Sequence, residues 1–313
     1  MLQQADAFLA ENLAREPCLV EPDILPHGGK ALLYGFAGIG KSIIAMQLGL
    51  DISNGRPWLG HFETRQGPVV YLQCELPRGK FRDRLRDMAP PYTDLAQFWV
   101  YTSLTMKIHP NDPEFRDFVK EVTAIKPVLF IVDPQYKVLV GDENSAKDIQ
   151  VLYDLLDRLI QDTGTALLLI DNRRKSRQDA EGWATDFGLG ELSGSQRKQG
   201  WMDAIVRLSK ARGGHSLAFE KTRYGDAPES VQLTLGDEPL GFQVGGRAAV
   251  MEALLGELQK GPVLMADLKR RLLLLKFSDI TIRRALDDAE RDKLVESKPL
   301  EHDKRQKEVR LSG

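Results

Sequence analysis

A chain of 313 residues, 42% hydrophobic and 28% charged, has material for one large domain, or one medium and one small, with a real core. Its net charge of −2 excludes a global basic field for nucleic acid. Two cysteines, Cys18 and Cys74, exclude a disulfide framework, and no apolar run approaches the roughly 18 residues of a membrane span.

Residues 1–15 mix Gln, Asp, Glu and Arg with apolar residues, unlike a secretory leader, so a cytoplasmic protein is expected. In "MLQQADAFLAENLA" Leu2, Ala5, Leu9 and Leu13 fall near helical spacing. A linker with Pro17, Pro22 and Pro26 runs to Gly28, which makes residues 1–28 an N-terminal helix and linker. From Lys30 the pattern alternates. "KALLY", "PVVYLQCE", "FWVYTS", "PVLFIVDP" and "TALLLIDN" read as strands. "SIIAMQLGLDI", "RGKFRDRLRDM", "DPEFRDFVKEVTAI" and "AKDIQVLYDLLDRLIQDT" read as helices between them. Such alternation predicts an α/β fold, a parallel sheet flanked by helices. A polar loop of 28 residues, 173–200, is long enough to imply a function. "DAIVRLS", "HSLAFEK", "SVQLTL" and "GFQVG" then follow without helices and predict an antiparallel extension. Gly245-Gly246 marks a boundary, placing the main domain at 29–245 and a small one at 247–313. The small domain carries a net +3 and the remainder −5.

"GFAGIGKS", Gly35 to Ser42, matches G-x-x-x-x-G-K-[ST] between a strand and a helix, the context that gives the motif meaning. Backbone N–H groups of Gly35, Phe36, Ala37, Gly38, Ile39, Gly40, Lys41, Ser42 and Ile43 can curl around phosphate oxygens, helped by the helix N-terminus. Lys41 is expected on the β- and γ-phosphates of ATP and Ser42 on Mg²⁺. Asp133 ends a buried strand and is the expected second Mg²⁺ contact. Glu75 ends another strand, where a carboxylate can act as general base on water. Asn172 ends a third, where an amide can sense the γ-phosphate. Ligands of open α/β sheets lie at these carboxyl ends. In "FEKTRYG", Lys221 and Arg223 stand two apart on one strand face, aimed at a common anion.

The ordered set of phosphate loop, "YLQCE", "FIVDP" followed by "ENS", "LLLIDN" and "KTRYG" resembles the RecA-like ATPases, and within them the RepA-type hexameric replicative helicases, over most of residues 20–245. The resemblance implies a RecA-like sheet and a glutamate, Glu75, that activates water. It also implies that Lys221 and Arg223 reach the γ-phosphate of a neighbouring subunit in a homo-oligomer, a hexameric ring. The family carries histidines where Asp171 and Asn172 stand; Asn172 retains hydrogen-bonding capacity.

The resemblance further implies that the loop after Asn172 lines a central channel and grips single-stranded DNA. Arg173, Arg174, Lys175 and Arg177, with Arg197 and Lys198 further on, suit a phosphate grip, and Trp183 and Phe187 suit base stacking. Lys137 opens a second candidate channel loop. Residues 247–313 look like a winged helix. "RAAVMEALLGELQ" and "LMADLKRRLLLL" form two helices, Ser278 caps a third with Ile282, Leu286 and Ala289 on one face, and Lys304, Arg305 and Lys307 lie on the wing. Thr281, Arg283 and Arg284 lie largely off the apolar face of the third helix, which in winged helices enters the major groove. Asp287 and Asp288 beside them keep a protein contact open as the alternative to duplex DNA.

Three readings follow: an ATP-driven helicase or translocase in replication of a plasmid, phage or other mobile element; a non-unwinding RecA-like ATPase such as a loader, a recombinase-like filament or a switch; and a DNA-binding regulator that uses ATP for assembly.

Overall fold

A computed structural model describes residues 2–12, 18–92, 94–142, 145–172, 195–211, 214–245, 247–274, 277, 279–300 and 306–312. A short helix α1 (Ala5–Leu9) buries nothing. The hairpin β1 (Cys18–Val20) and β2 (Leu25–Pro26) leads into β3 (Lys30–Gly35) and α2 (Lys41–Ser53). Then follow β4 (Val69–Gln73), α3 (Arg78–Met88), β5 (Phe98–Thr102), α4 (Pro113–Ile125), β6 (Leu129–Asp133), α5 (Gln135–Val138), α6 (Ala146–Thr163), β7 (Ala166–Asn172) and α7 (Ser195–Trp201). The strands β8 (Ala204–Ala211), β9 (Gly214–Thr222), β10 (Val231–Asp237) and β11 (Leu240–Val244) complete one nine-stranded sheet, ordered β11-β10-β9-β8-β3-β7-β6-β4-β5.

Local signals account for the helix ends. Asp112 accepts from the Phe115 amide at 3.1 Å, with Pro113 in the first turn of α4. Ser145 accepts from the Asp148 amide at 3.3 Å, and Gly164 closes α6 in the left-handed region. The strands β3, β4, β6 and β7 are apolar on both faces because helices cover both. On one face Val69, Tyr71, Leu129 and Ile131 pack with α2 residues Ile44 and Leu48. On the other, Val70, Leu72, Phe130 and Val132 pack with Phe118, Ile149 and Leu156. The predicted α/β fold is therefore found, with one difference. The strand β8 runs parallel to β3, and only β9, β10 and β11 are antiparallel. The helix α7 before β8 makes a crossover, which returns a strand in the parallel sense.

The remaining elements are α8 (Arg247–Gln259), β12 (Val263–Leu264), α9 (Met265–Leu274), α10 (Asp279–Arg291), β13 (Val295–Pro299) and β14 (Lys307–Leu311). Their strands form a separate antiparallel sheet, β12-β14-β13. Val250, Leu254, Leu268, Leu272, Ile282, Leu286, Ala289 and Val309 make a third core. Among the described residues no helix is long and apolar enough to cross a membrane.

Asp51 on α2 is a buried acid. It accepts from the Tyr92 hydroxyl at 3.0 Å and the Leu59 amide at 3.3 Å, and burial pushes its carboxyl up to about 7. Between the ordinary carboxylate range and pH 7 the folded chain holds a proton that the unfolded chain has released, so stability falls as pH rises through that window. Asp51→Asn removes the slope. Its melting temperature should exceed that of the unsubstituted protein at pH 8, by on the order of 5 °C, and the gap should close near pH 5. Parallel melting curves across that range would exclude Asp51 as the source.

Candidate nucleotide-binding site

The phosphate loop joins β3 to α2. A Cβ on Gly35 would stand 2.2 Å from the Leu208 carbonyl oxygen of β8, so the close approach of two strands demands glycine. Gly40 adopts φ +97°, and a Cβ there would stand 2.7 Å from the Phe242 ring. Lys41 opens α2 with its side chain buried. Its Nζ donates to the carbonyls of Gly35 at 2.9 Å and Phe36 at 2.7 Å. Burial lowers this ammonium to about 8, against the opposing pull of Asp133, Asp171 and Glu75.

Asp133 ends β6, opposite Gln73 at the end of β4. It is buried, accepts from the Tyr71 hydroxyl at 2.6 Å and also hydrogen-bonds Ser42. Burial pushes its carboxyl up, opposed by these two bonds. A serine hydroxyl beside a carboxylate is a hard oxygen donor set that fits Mg²⁺. Glu75, two residues past β4, is exposed and accepts from the Tyr136 hydroxyl at 3.3 Å. Asn172 ends β7 half-buried. One cavity of about 350 Å³ gathers the loop from Ala37 to Ile43 with Glu75, Asp133 and Asn172. Four strand or helix ends thus converge where the strand directions require.

The same cavity holds residues the sequence reading missed. Arg84 on α3 lines it. Phe81 and Met88 are buried on that helix, and Arg84, three residues past Phe81, is half-buried. An arginine at helical spacing from the apolar pair of a charged helix was the available signal. His215 also lines the cavity; burial and then Lys210 lower its imidazole below the ordinary value.

Lys221 and Arg223 do not line this cavity. They converge instead on the C-terminal end of α7. Lys221 Nζ donates to the carbonyls of Gln199 at 2.5 Å and Met202 at 2.7 Å. Arg223 Nη2 donates to Gly200 O at 2.7 Å and Met202 O at 3.2 Å, and its Nε pairs with Asp203 at 2.9 Å. A helix C-terminus carries partial negative charge, so within one subunit the shared anion is this helix end together with Asp203.

One expectation about nucleic-acid contacts is corrected, and the placement of α10 is specified. Lys198, expected on the channel loop, lies in α7, which occupies the last part of the segment read as loop. Its Nζ pairs with Asp171 at 2.5 Å, the two side chains only 1% and 3% exposed. A carboxylate buried at the end of β7 needs a cation, and Lys198 supplies it. On α10, Arg284 pairs with Asp237 of β10 at 3.7 Å. Thr281, expected off the apolar face, is buried and donates to Gln243 of β11 at 3.0 Å. The reason is that α10, packed by its apolar face within the third core, also reaches the large sheet through these two polar contacts. Arg283 is exposed. Arg173, Arg174, Lys175, Arg177, Trp183, Phe187, Glu143, Ser278, Lys304 and Arg305, and the side chain of Arg197, lie outside the described residues.

A nine-stranded, mostly parallel sheet with a phosphate loop at the carboxyl end of β3, and acids at the ends of β4 and β6, defines a RecA-like phosphate-loop ATPase domain. The chain belongs to the AAA domain family AAA_25, whose model matches residues 1–178. Its fold is similar to a solved structure described as "ATPase Domain of G40P", at TM-score 0.54 and 14% identity over 69% of this chain and 84% of that one. It is similar also to "The Structure Of A DnaB-Like Replicative Helicase And Its Interactions With Primase", at TM-score 0.53 and 13% identity over 69% of this chain and 57% of that one.

Proposed function

We propose that the chain hydrolyses ATP with Mg²⁺ as an oligomeric, helicase-type motor that binds single-stranded DNA, in replication of a plasmid, phage or other mobile element. The observation that carries this is the meeting of Lys41, Ser42, Glu75, Asp133 and Asn172 in one cavity beside the phosphate loop. Loop amides and Lys41 hold the triphosphate; Ser42 and Asp133 hold the metal, which when bound neutralises charge on the phosphate oxygens. Tyr136 fixes Glu75 Oε1 and leaves Oε2 to take the proton of the attacking water. Arg84 adds a cation to the same cavity. Asn172 reads the γ-phosphate, next to Asp171, which is tied to α7 by Lys198.

Lys221 and Arg223 act on the nucleotide of a second copy, which agrees with their position outside their own cavity. Exchange of the α7 carbonyls for that phosphate loosens the helix that follows residues 173–194, where Arg173, Arg174, Lys175 and Arg177 are the proposed DNA contacts together with Arg197. The helices α8, α9 and α10 with the sheet β12-β14-β13 suit a winged helix. The Arg284–Asp237 and Thr281–Gln243 contacts tie α10 to the large sheet of its own chain, and its outside partner is duplex DNA or a protein.

The test is the ATPase rate with and without single-stranded DNA, together with the mass of the assembly by light scattering. A multimer whose turnover rises with DNA supports the reading. A monomer whose turnover ignores DNA overturns the motor and leaves the non-unwinding ATPase.

A further inference from the structure

The strand β4 is apolar along its length except at Tyr71 and Gln73. Tyr71 is fully buried, packed by its ring against Phe81 at 5.4 Å and Phe98 at 6.1 Å. A tyrosine buried this deeply must find a partner for its hydroxyl, and phenylalanine would satisfy the packing alone. The hydroxyl lies behind Asp133, which lines the cavity, while Tyr71 itself does not. It donates to Asp133 Oδ2 at 2.6 Å and stands 3.4 Å from the Ser42 carbonyl oxygen. Ser42 in turn hydrogen-bonds Asp133. The register explains the reach. Gln73 lies opposite Asp133 and Tyr71 opposite Ile131, so Tyr71 and Asp133 share the α2 face of the sheet, offset by one side-chain step.

We propose that Tyr71 is a positioning residue for the metal: its hydroxyl holds one oxygen of Asp133 and turns the carboxylate toward Ser42, so that both present oxygen to Mg²⁺. Partners that orient a metal ligand are worth about 10- to 100-fold in metal affinity. The inference rests on the proposed Mg²⁺-dependent nucleotide site.

The test uses the full chain and Tyr71→Phe, which keeps the ring contacts and deletes the hydroxyl. Binding of a fluorescent ATP analogue is titrated first in EDTA, then against Mg²⁺, and Mn²⁺ binding is followed by electron paramagnetic resonance. The expected result is unchanged analogue affinity in EDTA and a 10- to 100-fold rise in the half-saturating Mg²⁺ and Mn²⁺ concentrations. A cycle with Asp133→Asn covers the case in which the variant melts early. A positioning Tyr71 adds no further loss of metal affinity in that background, whereas a merely structural one adds its full effect. Equal half-saturating Mg²⁺ for Tyr71→Phe and the unsubstituted protein overturns the proposal while leaving the nucleotide site intact. Failure of the unsubstituted protein to bind the analogue at all overturns the site itself.

Discussion

Arg223→Ala should lower turnover by about 10³-fold or more, the scale of an arginine supplied to a phosphoryl-transfer site, with analogue binding nearly unchanged. Neither Arg223 nor Lys221 lines its own cavity, so the loss of turnover is expected in the assembly, while an isolated subunit loses only the Arg223 contacts to Gly200, Met202 and Asp203. Mixing makes the assignment sharper. Glu75→Gln subunits lack the proposed base and Arg223→Ala subunits lack the proposed finger. In mixed assemblies some interfaces pair an intact Glu75 with an intact Arg223, so part of the activity should return. The measurement is steady-state phosphate release across mixing ratios. Normal turnover by Arg223→Ala would leave the cation pair with only the role seen inside one subunit, holding the end of α7 through the carbonyls of Gln199, Gly200 and Met202.

Lys198→Met should destabilise the fold by about 3–5 kcal/mol, because it strands the Asp171 carboxylate in the core. Both side chains are almost wholly buried, so solvent screening does not soften the loss. In a chain of this size that is a fall on the order of 10 °C in melting temperature. Adding Asp171→Leu should recover most of the loss, since an apolar pair of similar volume replaces a buried ion pair at little cost. Thermal melts of the two single variants and the double variant decide it. A Lys198→Met protein of unchanged stability but weakened single-strand binding would restore Lys198 to the proposed DNA contacts.

These two cases divide what was legible in the sequence from what was not. The phosphate loop was readable because its chemistry needs glycines, a lysine and a hydroxyl at fixed spacing in a few consecutive residues. Asp133, Glu75 and Asn172 were readable because each ends an apolar run, and in a parallel sheet all such ends lie on one edge. The antiparallel tail was misjudged at β8. Period-2 patterning gives a strand its faces but not its direction, and the short α7 that sets the direction was taken for loop.

The sequence by itself determined the α/β class, the phosphate-loop motif and the strand ends that meet beside it, because hydrophobic periodicity and local motifs act over a few residues. Only the tertiary structure decided the partners of the charged groups. It put Lys198 on Asp171 across 27 positions, Arg284 on Asp237, Arg84 at the cavity and the Tyr71 hydroxyl on Asp133 across 62 positions. The physical reason is that a charge or hydroxyl entering the core takes the nearest complementary group in space, and that neighbour is set by how strands and helices pack, not by spacing along the chain.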